Sequence, residues 1–182
     1  EIFLEITSRS FNIKLQAGNK LNQLRLVNNS HEYLNDIKLK KLNLKNKIIF
    51  TKNKKDNMFE NGLKVSVNLS SKSKVIAYSA KKNKKPIDFN KINHHRLLDY
   101  WEPISAKKNS ILIERNKFYI LRSKEKVRIP SSLAGEMIPY DTRIGDFRAH
   151  YAGFFDPGFG DPNGSYAVLE VKTSELPFLL ED

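Results

Sequence analysis

Two acids toward the C-terminal end of the chain have the surroundings of reactive groups. Asp156 opens the run Asp156-Pro157-Gly158-Phe159-Gly160, and Glu170 sits in Ala167-Val168-Leu169-Glu170-Val171. Pro157 fixes φ, and Gly158 and Gly160 can take positive φ, so the chain can turn tightly between two apolar strands. Such a corner leaves Asp156 and Phe159 at the rim of a pocket. Every neighbour of Glu170 is apolar, and a carboxylate removed from water has a raised pKa suited to general acid–base work. The alternative is an ordinary hairpin with one edge-facing glutamate. Upstream, Arg143 and Arg148 offer planar guanidinium forks that match phosphate oxygens. His150, just ahead of the corner, is either a polarising group or a satisfied strand histidine. His94 and His95 lack an acid partner at useful spacing and read as structural, and His31 reads as exposed.

The elements that must position these groups read as short strands. The expected strands are Ile2–Ile6, Leu21–Leu26, Leu63–Leu69, Val75–Tyr78, Ser110–Ile113, Lys117–Arg122 and Leu133–Ile138, with strands on either side of the corner. Pro130, Pro139 and Pro177 fall at strand ends or edges, where a missing N–H is tolerated. Asn28-Asn29-Ser30 offers a cap for a short basic helix or loop over 31–42. A turn of helix is expected within 88–100, and Trp101 is expected to plug the core. Many short strands with Gly, Pro and Asn turns and little helix indicate an all-β jelly roll or barrel-like sandwich.

The two ends of the chain resemble each other. Leu4-Glu5-Ile6 aligns with Leu169-Glu170-Val171, and Ile13 then meets Phe178 and Leu15 meets Leu180. A repeat of this length implies two copies of one domain. The chain would then hold the tail of a first copy and most of a second, and Glu5 becomes the counterpart of Glu170.

The net charge is +12, with 32 basic against 20 acidic residues. The lysines cluster in 38–55 and 72–85, mixed with asparagine, and no aromatic residues alternate with them as a stacking platform for nucleic acid requires. Attraction for a small polyanion such as a triphosphate is the better use of this surface. There is no apolar run of about 18 residues, and no signal peptide is expected. No membrane or nucleic-acid partner is therefore expected, and the location is read as cytoplasmic.

The segment Ala152-Gly153-Phe154-Phe155-Asp156-Pro157-Gly158-Phe159-Gly160 resembles the motif of the deoxyuridine-triphosphatase and dCTP-deaminase superfamily. Val168-Leu169-Glu170-Val171 is similar to the deaminase strand that bears a catalytic glutamate, and Arg143 falls where deaminases carry a phosphate-binding arginine. The longer run from Gly145 to Gly160 resembles a two-domain bacterial dCTP deaminase family. The resemblance implies an all-β, dUTPase-like distorted jelly roll or β-barrel in tandem copies, the first mostly absent. Residues 1–28 would be the last strands of the first domain, 29–60 a basic helix and linker, and 61–182 a second domain lacking its last strands.

The implied activity is deamination of dCTP to dUTP and ammonia, a step of dUTP biosynthesis, by a hydrolase acting on the C–N bond of a cyclic amidine. The chain has no cysteine, which removes the thiolate zinc site of most nucleobase deaminases. No protein-bound metal is expected. Glu170, with Glu5 ranked second, would activate the water, and Mg²⁺ would ride on the substrate triphosphate. The resemblance assigns Asp156 to the sugar 3′-OH, and Phe159 to the deoxyribose face, where a ring excludes a 2′-OH. It assigns Ala152 and Gly153 to close approach at the base edge, with His150 beside them, and Arg143 and Arg148 to phosphates. One departure stands out. Single-domain relatives precede the arginine with a Ser-Ser pair, whereas this chain has Pro139-Tyr140-Asp141-Thr142. A composite site in a homo-oligomer follows, with Glu170 from the second copy and phosphate donors from the first copy or a neighbouring subunit. The alternatives are a dUTP diphosphatase, or a non-catalytic β-sandwich serving as scaffold or basic binding domain.

Overall fold

Buried and outward side chains alternate without a break through Tyr119, Leu121, Ser123, Glu125 and Val127, and this period of two makes Phe118–Val127 the longest strand. The computed structural model describes residues 3–8, 10–24, 26, 32–51, 58–138, 153–173 and 176–181, and residues 148–149 by their backbone. Along the chain the elements are β1 (Ile13–Lys14), α1 (Asp36–Asn46), β2 (Ile49–Phe50), β3 (Ala77–Ala80), β4 (Ile87–Asp88), α2 (Leu97–Tyr100) and β5 (Trp101–Ile104). They continue with β6 (Ser110–Ile113), β7 (Phe118–Val127), β8 (Gly135–Glu136), β9 (Arg148–Ala149), β10 (Phe154–Phe155), β11 (Ser165–Lys172) and β12 (Phe178–Glu181). Among the described residues, two short helices stand among many strands, the all-β class that the turn-rich pattern indicated.

β7 organises the main sheet, whose strand order is β5-β3-β7-β11-β9 with β2 also on β7. One edge of β7 pairs antiparallel with β11. Three segments share the other edge in turn. β3 lies against residues 119–121, residues 66–68 bond to Arg122 and Lys124, and β2 lies against residues 126–127. A second layer, the antiparallel pair β6–β12, closes over the inner face. Its inward side chains, Ile111 and Ile113 with Phe178 and Leu180, meet Tyr119, Leu121, Leu169 and Val171 in one core. Burying side chains of this size contributes about 1.5–3 kcal/mol each.

The N-terminal stretch attaches by polar and aromatic contacts. β1 pairs parallel with β4. Asn12 N–H donates to Asn83 Oδ1 (2.9 Å), while Asn83 Nδ2 donates to Asn12 O (3.1 Å). The Phe11 ring meets Trp101 edge-on at 5.0 Å. Trp101 does not plug the core. It lies half-buried on the edge strand β5, covering Phe118, and Pro103 sits on that same edge, where a lost N–H costs little.

Several expectations change. Residues 3–6 and 21–24 form no strand, and Leu4 and Leu24 are exposed. Alternation marks a face only when a neighbouring strand accepts the ladder, and among the described residues none does so here. The helix is real but starts later, capped by Asn35, whose Oδ1 accepts Lys38 N–H at 2.9 Å. Asn28 to His31 lie outside the described residues. The apolar knot Ile48-Ile49-Phe50, read as linker, joins the sheet through β2, with Ile48 and Ile49 buried. Residues 63–69 form no continuous strand and meet β7 through a single bridge, Val67 with Ser123.

Candidate functional site

The glycine-rich corner forms as its residue types demand. β10 pairs with β8, and Met137 N–H donates to Gly153 O (2.8 Å). The chain then turns, with Phe159 N–H on Asp156 O at 3.0 Å. Gly158 N–H bonds Ile129 O (3.0 Å) and Ile129 N–H bonds Phe159 O (2.9 Å), so the corner is strapped to the chain leaving β7. Gly158 and Gly160 have φ of 86° and 72°. At Gly160 a Cβ would stand 2.3 Å from Val127 O and 2.8 Å from Ser165 N, so nothing larger fits. Asp156 is exposed at the rim, and Phe159 is half-buried with its ring centroid 4.8 Å from that of Phe155. Arg128 reaches across the corner, with Nε 3.7 Å from Asp161 Oδ1.

Glu170 stands on β11 opposite Ile120 of β7. Contrary to the expectation from its apolar neighbours, its side chain is exposed. The reason is the pleat: Leu169 and Val171 turn into the core at 8% and 1% exposure, while Glu170 shares the outer face with Val168 and Tyr166. On that face the Arg122 guanidinium carbon lies 4.3 Å from the Tyr166 ring centroid, and Lys126 Nζ lies 5.4 Å from it. Its own strand therefore does not bury Glu170.

The ladder also separates the two acids. Glu170 pairs with Ile120, whereas the corner rests on Val127 and Ile129 near the other end of β7. At about 3.3 Å per residue this is roughly 20 Å of strand. Arg148 lies on β9 with its backbone opposite Lys172, next to the strand that carries Glu170. Arg143, His150 and Ala152 lie outside the described residues, as does the stretch 139–142. Glu5 is exposed and outside any strand. His95 is structural: its Nε2 accepts Asp88 N–H (3.1 Å) and its Nδ1 lies 3.2 Å from Tyr100 Oη. Among the described residues, no three His, Asp or Glu side chains gather as a metal site, and no helix is long and apolar enough to cross a membrane.

Sequence reasoning missed the polar pair inside β7. Ser123 and Glu125 are 0% and 2% exposed. Ser66 N–H donates to Glu125 Oε2 at 2.7 Å. Ser123 Oγ donates to Glu125 O (2.6 Å) and accepts Ala167 N–H (2.8 Å). The signal was there: Leu121, Ser123, Glu125 and Val127 keep the period of two, so the polar residues occupy core positions.

Comparison with known proteins agrees with this architecture. The family model for the C-terminal domain of 2'-deoxycytidine 5'-triphosphate deaminase matches residues 35–182. The crystal structure of 2'-deoxycytidine 5'-triphosphate deaminase from Agrobacterium tumefaciens superposes with a TM-score of 0.72 at 38% sequence identity. The match covers 81% of this chain and 44% of that one, so this chain spans less than half of that protein's length. No curated protein matched. The chain thus has the all-β dUTPase-like fold and belongs to the family of dCTP deaminase C-terminal domains.

Proposed function

We propose that the complete protein deaminates dCTP to dUTP and ammonia, with Glu170 as the proton carrier. The observation that carries this reading is the family match over residues 35–182. In the proposed step the Glu170 carboxylate takes a proton from water as the water oxygen bonds cytosine C4. The carboxylic acid then returns that proton to the amino group, the C4–N bond breaks as ammonia leaves, and the second water proton, still on the C4 hydroxyl, moves to N3 to give the C4=O of uracil. One group can do both transfers if its pKa lies near the working pH. Asp156 accepts the sugar 3′-OH, and Phe159 faces the deoxyribose. Arg143 and Arg148 take phosphate oxygens, and His150 and Ala152 approach the base. Mg²⁺ accompanies the triphosphate, and the chemistry runs without zinc, in keeping with a cysteine-free chain.

The exposure of Glu170 supports a site completed by another surface. A proton carrier tuned by desolvation must be covered, and its own strand leaves it open. The roughly 20 Å of strand between corner and glutamate favours the same conclusion. We therefore place the working site between domains or between subunits of a homo-oligomer, with Glu5 of the first copy as the second-ranked acid. The test is product analysis with the complete protein. Ammonia from dCTP is the expected result. Pyrophosphate from dUTP without ammonia from dCTP would make it a dUTP diphosphatase, and tight dCTP binding with neither product would make it a scaffold.

A further inference from the structure

Two consecutive residues just past β7 hold the glycine-rich corner from its two sides. Ile129 holds the near half by backbone alone, accepting Gly158 N–H (3.0 Å) and donating to Phe159 O (2.9 Å). Arg128 holds the far half by its side chain. Its Nε lies 3.7 Å from Asp161 Oδ1, and its Nη1 donates a long hydrogen bond to Pro162 O at 3.5 Å. Gly160 sits between these anchors, against Val127 O with no room for a Cβ. The root of the Arg128 side chain is itself fixed, because Arg128 N–H bonds Ile48 O at 2.9 Å.

The state of the guanidinium shows which way it is turned. The Arg128 side chain is 21% exposed, and its Nε is sealed from water with no hydrogen bond among the described residues. At 3.7 Å the Asp161 carboxylate attracts Nε as a charge without hydrogen-bonding it. A buried N–H left without a bond is a cost that a fold keeps for a reason. Direct contact with a ligand is not that reason, since Nε is closed to one. The partner on hand is Asp161, in the turn that follows Phe159. The Phe159 ring rests on Phe155, with centroids 4.8 Å apart, and Phe155 and Ile129 both crowd the bare face of Gly135. The backbone of Phe159, however, runs between Gly158 and Gly160, both left-handed. Without Arg128 the corner would be anchored on the Ile129 side alone. We propose that Arg128 is a positioning residue for sugar recognition, acting through Asp161 to hold the Phe159 ring where it excludes a 2′-hydroxyl. The proposal rests on the reading of Phe159 as the group that faces the deoxyribose.

The test measures kcat/KM for dCTP and for CTP, by ammonia release, in the complete protein. The variants are Arg128→Ala, Asp161→Ala and the two together, with Phe159→Ala to test the reading beneath. The core substitution Ile113→Val, at a fully buried position of β6, controls for lost stability. An apolar surface rejects an added hydroxyl by about 10²-fold. Arg128→Ala should give up at least about tenfold of that preference for dCTP, because a shift of about an ångström is worth up to roughly a hundredfold. Asp161→Ala should give up as much. Residues that act as a unit are not additive, so the double variant should lose no more than either single one. Ile113→Val should lose stability with the preference intact. If Arg128→Ala does not fold, Asp161→Asn, which removes the charge and keeps the shape, decides. Wild-type preference in the folded Arg128 or Asp161 variants, with Phe159→Ala relaxed, would overturn the positioning role alone. Additive losses in the double variant would overturn the route through Asp161. A wild type that takes CTP as readily as dCTP, or a Phe159→Ala variant that still rejects CTP, would overturn the role together with the reading beneath it.

Discussion

At Gly160 the backbone and its surroundings both forbid a side chain, whereas at Gly158 only the backbone does. Gly160 combines φ of 72° with a Cβ position 2.3 Å from Val127 O, while Gly158 has φ of 86° and open space. Holding a non-glycine residue in the left-handed region costs about 1–2 kcal/mol. Gly158→Ala should therefore cost about that much. Gly160→Ala should cost clearly more, because Val127 O is backbone and the corner must shift off β7. Urea titration of both variants measures the difference, and equal losses would mean that the corner is not seated on β7 as described. These glycines were legible in the sequence because a Pro-Gly turn is a local matter. The exposure of Glu170 was not legible in the same way. Its chain neighbours Leu169 and Val171 are buried on the opposite face, so their apolar character says nothing about what covers the glutamate.

The elements hold together through a few polar clamps, each with its own signature. The Asp36 carboxylate at the start of α1 accepts Gly62 N–H (2.9 Å) and Asn61 N–H (3.0 Å). These bonds, that of Gly62 foremost, hold its pKa below the usual aspartate value. A depressed folded-state pKa means that the stabilisation is present above the ordinary aspartate pKa and is lost as pH falls through the folded value. The melting temperature of Asp36→Ala should therefore lie below wild type at neutral pH, and the gap should narrow in acid. A constant gap would show that the charge plays no part. Nearer the N-terminus, the Asn12–Asn83 exchange anchors β1 on β4. Asn83→Ala should speed amide exchange at Ile87, whose N–H bonds Asn12 O at 2.8 Å, and leave Leu121 in the core protected. Strands that contribute apolar side chains to the core, such as β6 and β11, were readable as short apolar runs. Residues 3–6 and 21–24 carry apolar alternation without a ladder to join, and β7 was cut short in the reading at Arg122, because Ser123 and Glu125 look like surface residues until their hydrogen bonds are known.

Across the whole molecule, family and fold were legible because the corner motif and the glutamate strand are contiguous in sequence. The site was only partly so, since whatever covers the outer face of β7 and β11 is not written in those segments. That face carries Tyr166, Val168 and Glu170 beside Arg122 and Lys126, an arrangement suited to a substrate or a second copy rather than to open water. On the proposed function, a net charge of +12 would draw a nucleoside triphosphate toward such a site, so KM for dCTP should rise with ionic strength while kcat changes little. A salt-independent KM would remove the role of charge. The most direct measurement is ammonia release from dCTP by the complete protein carrying Glu170→Gln, beside wild type and Glu5→Gln. Proton transfer by a positioned side chain is worth about 10²- to 10⁴-fold. A loss of that size with dCTP still bound is the predicted result for Glu170→Gln. An unchanged rate in that variant, with the loss falling on Glu5→Gln, would contradict the assignment of the chemistry to this chain's β11.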